Sequence, residues 1–298
     1  LRAPIDSAVV VFLSYDDDLI PLRSLNTSHF LNPSVSPIMS SRKSSKESTV
    51  SQPLWFYQNL IDVHTDNIEA HVVHEKELKT DDIQWLLGPG DTNSPRSVGI
   101  SPAYSQSGGL PALACAHDAH VLIINFHSTK AYGDGNTSGS GTLPRNVERR
   151  KLLEEQLLCN PLYSLYAFDL APLALSLNLH LHLRLTDAID IQSALQVPGR
   201  SILEAVRVVI ADTSPIFDDN ITSTFNRMHY ESNKQKDLTD LVQRAWICGF
   251  VGRYDFGVIQ DLFYKAPKVD MTKLSVDVSL LFSVWLCGAA HHTIRIRN

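Results

Sequence analysis

Isolated aspartates, scattered histidines and one strand with an unusual face are the residues of this chain that could do chemistry. Two carboxylates placed i and i+2 on a strand share one side of it, and oxygen ligands so placed can hold hard divalent ions. Val98-Gly99-Ile100-Ser101-Pro102-Ala103-Tyr104 reads as a strand of that kind. It is followed by the turn Ser107-Gly108-Gly109 and a second apolar strand, His120 to Phe126. The shared face, however, carries Ser101 and Ala103, a hydroxyl and a methyl, and Asp-x-Glu occurs nowhere in the chain. Ser101 lacks the Gly-x-Ser-x-Gly surroundings of a nucleophile elbow, so it reads as a passive strand residue. The other acidic candidates are Asp169, Asp190 and Asp277, the last standing four residues after Lys273. Asp169 and either Asp187 or Asp190 stand where helices start, so capping explains them without a metal. Asp277 falls inside a helical run, where exposure or a salt bridge accounts for it.

The remaining polar clusters have plainer readings. His180-x-His182 is expected to project two rings from one side of a strand; His71 with His74, and His117 with His120, are further pairs. None has Cys or Glu at a zinc-site spacing. Asp16-Asp17-Asp18 reads as a solvated acidic turn, and Gly133-x-Gly135 has no strand–turn–helix context for a phosphate. Cys115, Cys159, Cys248 and Cys287 are widely spaced and read as reduced thiols of an intracellular protein.

The elements that must hold these residues follow from periodicity and punctuation. Ala8 to Leu13 reads as a strand or as a segment that orders on a partner. Ser36 to Ser51 is Ser-rich and short of large apolar groups, the composition of a linker. Glu69 to Val73 reads as a strand. Thr80 to Leu87 reads as a helix with Thr80 as N-cap, stopped by Gly88-Pro89-Gly90. Residues 128–146 read as a polar loop, Val147 to Leu158 as an amphipathic helix, and Leu162 to Ala167 as a strand. Helices are expected at Asp169–Leu179, Asp187–Leu195 and Ser201–Ile210, then an irregular insertion over 212–235. Asp237–Phe250, Asp255–Tyr264 and Leu274–Ala289 complete a helical C-terminal part. Its aromatics, Trp246, Phe250, Phe256, Phe263 and Trp285, fall at core spacings. Residues 1–52 are therefore expected to form an arm and linker, and 53–298 an α/β domain with a mixed sheet flanked by helices.

Composition narrows the function classes. The 298 residues carry 26 Lys+Arg against 32 Asp+Glu, a formal net charge of -6, which disfavours a broad basic surface for nucleic acid and leaves RNA only a local groove. The longest apolar run, Val278 to Ala290, is too short to span a bilayer, so no membrane is expected. No signal-peptide pattern is read, and a start at Leu1 rather than Met reads as a piece of something longer.

Taken together, the strand at 98–104, the run Tyr166-Ala167-Phe168-Asp169-Leu170, the segment Thr186 to Ala194 and the late helix around Asp277 resemble the RNase D-like 3′–5′ exonucleases of the DEDD superfamily. The resemblance spans roughly residues 69–289. It implies a ribonuclease H-like fold. It puts the first two carboxylate positions on Ser101 and Ala103, the next on Asp169, and the Asp closing the following strand on Asp190. The third segment, Tyr-x-x-x-Asp in the family, falls on Lys273 and Asp277. Two-metal phosphodiester cleavage needs two ions about 3.5–4 Å apart, and two of four ligands are missing. The resemblance therefore implies a catalytically inactive domain with no cofactor. Its expected role is a protein-interaction or RNA-binding scaffold in an RNA-processing or RNA-silencing assembly, nuclear or cytoplasmic. The expected contacts are a protein partner or self-association through the C-terminal helices and the N-terminal arm. An alternative is an active Mg- or Mn-dependent exonuclease that uses Asp169, Asp190 and Asp277 with a carboxylate from Asp16–Asp18. A third is a small-molecule enzyme on an unrelated α/β fold.

Overall fold

Alternation along the central strands divides the molecule into two apolar layers. In the computed structural model, which describes residues 53–62, 67–88, 96–126, 145–210, 214–226, 228–254 and 257–273, Val98 and Ile100 face one layer while Ala103 faces the other. The next two strands behave alike: Leu113, Cys115, Leu122 and Ile124 go one way, and Ala112, Ala114, Ala116, Val121 and Ile123 the other. A period of two with both faces apolar is what a sheet covered on both sides requires.

The strands are β1 (Leu54–Tyr57), β2 (Asn67–His74), β3 (Arg96–Ala103), β4 (Ala112–His117), β5 (His120–Asn125), β6 (Tyr163–Ala167), β7 (Ala188–Asp190) and β8 (Lys268–Val269), in one sheet of order β1-β2-β5-β4-β3-β6-β7-β8. β4 runs antiparallel to β3 and β5, with Ser101 opposite Ala114 and Ala103 opposite Ala112. β6 is parallel to β3, β7 parallel to β6, and β2 parallel to β5. β1 and β8 are antiparallel additions at the two edges. From β5 to β7 this is the ribonuclease H-like mixed sheet flanked by helices that the sequence led us to expect.

One face is covered by α1 (Thr80–Leu87), α2 (Arg145–Leu153) with a π-helical turn at Glu154–Leu158, and α3 (Leu170–Leu181). The other is covered by α4 (Ile191–Ala194), α5 (Ile202–Ile210), α6 (Asp218–Phe225), α7 (Gln235–Gly252) and α8 (Gly257–Lys265). Among the described residues no helix is long and apolar enough to cross a membrane.

Several local expectations are corrected. A strand, β4, stands between the two that were read; its sequence Ala-Leu-Ala-Cys-Ala-His is mostly small residues, which mute the usual strand signal. Residues 187–195 are not one helix: Asp187 has φ 55°, Ala188–Asp190 is strand, and only Ile191–Ala194 is helical. The segment 212–235 is not wholly irregular, because α6 buries Ile221 and Thr224. Thr80 is the first helical residue rather than the cap. The Asp82 carboxylate accepts from the Lys79 amide at 2.7 Å, while the Thr80 hydroxyl accepts from Gln156 at 3.2 Å. His180 lies in α3 and His182 is its left-handed C-cap, so the two do not share a strand face. Trp246 and Phe263 are buried as expected. Residues 1–52 with Asp16–Asp18, residues 127–144 with Gly133 and Gly135 of the loop expected over 128–146, and the expected helix 274–289 with Cys287 lie outside the described residues, as do Phe256 and Trp285; Arg145 and Asn146, the end of that expected loop, instead open α2.

Candidate functional site

The two small residues of β3 do share a face, and that face is roofed by α7. Ser101 is 3% exposed and Ala103 is fully buried. The approach is close because both partners are small at the crossing. A Cβ on Gly99 would lie 2.1 Å from the Gly249 amide nitrogen and 2.2 Å from the Ala245 carbonyl. Contacts that short do not occur, so this crossing requires glycine in the strand.

The roof brings a cation. Arg244, on α7, is 1% exposed. Its Nε donates to the Ser101 hydroxyl at 3.3 Å, Nη1 to the Thr224 carbonyl at 3.1 Å, and Nη2 to the Pro102 carbonyl at 3.4 Å. Burial pulls its pKa down to about 10, opposed by the nearby acidic groups of Asp240, Cys248 and Asp237. Asp240, one turn earlier, is itself buried. One turn later stands Cys248, whose thiol burial pushes up to about 12, so it stays protonated at neutral pH. Cys115, from the opposite layer, is also pushed to about 12 by burial.

Asp169 and Asp190 meet elsewhere, at Arg200. One guanidinium nitrogen reaches Asp190 at 3.0 Å and Asp169 at 3.5 Å. Asp190 caps α4 by accepting from the Ser193 amide at 2.8 Å, and its second oxygen accepts from the Leu170 amide at 2.9 Å. It therefore also serves the first turn of α3. Asp169, expected to cap α3, makes no capping bond; it sits at φ 50° and its amide donates to the Gln192 side chain at 3.0 Å. Asp169 titrates above the ordinary carboxyl range, chiefly through desolvation, with the Arg200 charge pulling it back. Lys273 ends a short 3-10 turn, Met271–Lys273, and Asp277 lies outside the described residues.

Chemically, this region offers little to a metal or a nucleophile. A divalent ion on the Ser101–Ala103 face would find a hydroxyl, a methyl and a guanidinium, a donor set that does not fit it. Ser101 accepts a hydrogen bond from a cation, and among the described residues no general base is bonded to it. Among the described residues, no three His, Cys, Asp or Glu side chains gather as ligands. Sequence reading missed Arg244. The available signal was Leu-Val-Gln-Arg-Ala-Trp-Ile-Cys-Gly: a lone cation, with one glutamine beside it, in a run otherwise apolar around the helix, the mark of a core helix.

No protein-family model and no curated protein matches the chain. Among solved structures, it is similar to a Trypanosoma brucei RNase D in complex with GMP, at 16% identity and a TM-score of 0.42, covering 77% of this chain and 66% of that one. It is also similar to the Aedes aegypti Nibbler EXO domain, at 11% identity and a TM-score of 0.42, covering 73% and 95% of the two chains. A third is Brucella melitensis NrnC, at 10% identity and a TM-score of 0.40, covering 77% and 98%.

Proposed function

We propose that the chain is a catalytically inactive exonuclease-like domain that serves as a protein-interaction or RNA-binding scaffold in an RNA-processing or RNA-silencing assembly. The observation that carries this reading is the buried guanidinium of Arg244 against Ser101. On the resemblance drawn from the sequence, this face of β3 would carry carboxylates and divalent ions. Here it carries a positive charge of its own. A divalent ion about 4 Å from that charge meets roughly 8 kcal/mol of repulsion at an effective dielectric of about 20. No carboxylate at 101 or 103 offsets it. The carboxylates of Asp169 and Asp190 are committed to Arg200 and to two helix-starting amides.

The test is incubation of the purified 298-residue chain with 3′-extended single-stranded RNA and DNA in Mg²⁺ or Mn²⁺. Substrates of unchanged length are expected. Processive 3′ shortening that disappears in Asp169→Ala would overturn the reading in favour of an active exonuclease with rearranged ligands.

A further inference from the structure

We draw no further inference here: the strongest candidate, the cavity between α2 with its π-helical turn and the C-terminal end of α3, has Arg150, Lys151 and Arg184 on its walls each already paired with a carboxylate, and its lining runs from Asn146 to Thr272, beside residues outside the described ones, so nothing in the structure shows what covers it.

Discussion

Replacing Arg244 by methionine keeps most of the side chain's length and apolar volume but deletes the guanidinium. Three acceptors then lose a charged donor: the Ser101 hydroxyl and the Thr224 and Pro102 carbonyls. Bonds to charged groups contribute about 1.5–3 kcal/mol each; at 3.1–3.4 Å the lower end applies. Buried Asp240 also loses a nearby cation. Against this, a charge whose pKa burial lowers to about 10 is held in the fold at a cost of roughly 3 kcal/mol, which the variant removes. The net expectation is a loss of about 2–4 kcal/mol. In a domain of this size each kcal/mol shifts Tm by about 2–4 °C, so Tm should fall by about 5–15 °C in a thermal melt. Adding Asp240→Asn to Arg244→Met should recover part of the loss by removing a buried charge that has lost this nearby cation. The sign with pH also follows. From about pH 10 up to the ordinary arginine range, the unfolded chain binds more protons at this residue than the folded one, so its contribution rises with pH there and is flat at neutral pH. The Tm difference should therefore hold constant between about pH 6 and 9. A single variant within about 2 °C of the parent, or more stable than it, would refute the account of Arg244 as the fastener of this crossing.

Gly99→Ala should be among the most damaging substitutions in the chain, losing several kcal/mol (about 3 or more) because its Cβ collides with α7 backbone that cannot yield; urea unfolding measures it, and a near-neutral result would show that the helix is not seated so closely. Arg200→Ala should raise the Asp169 pKa further above the ordinary range, since the largest opposing influence on its desolvation is lost, and carboxyl carbon chemical shifts followed through a pH titration would report it. Iodoacetamide at pH 8 should leave Cys115 and Cys248 unmodified in the folded protein and label them on unfolding, as read by peptide mass spectrometry; rapid native labelling of either would contradict their burial.

How much was legible beforehand depended on whether the deciding force is local. The strand through Ser101 and Ala103, the helices at 80–87 and 237–250 and the two-faced sheet are written in alternation and helical spacing, which act over a few residues. That an aspartate at 187 or 190 starts a helix was readable, but the choice of Asp190 was not, because Ala188–Asp190 pairs as a strand before the helix begins. Asp169 was not, because its left-handed backbone and its pairing with Arg200 are set by a loop thirty residues away. β4 hid behind alanines that are there to admit α7, a demand made by a helix more than a hundred residues later. Arg244 was invisible for the same reason. The sequence shows a cation in an apolar run, but only the assembled sheet shows which hydroxyl and which carbonyls it meets.

The distance along the chain between β3 and α7 also governs when the molecule can be completed. As the polypeptide emerges from its N-terminal side, β2 to β7 and the helices α1 to α3 are all present before residue 235 is made. That early portion already has one apolar layer closed. The other face, with Ala103, Ala112, Ala114, Ala116, Val121 and Ile123, has only α4, α5 and α6 on its side until α7, the helix that crosses β3 and β4, arrives. Contacts that span so much sequence form slowly, since a large loop must close first. The half-built sheet is thus the species most exposed to aggregation during synthesis, and any chain ending before about residue 235 is left permanently in that condition. A stop codon or proteolytic cut upstream of α7 should therefore yield a chaperone-bound or insoluble fragment, whereas the window just after Gly252 is the earliest point at which the sheet acquires both of its walls.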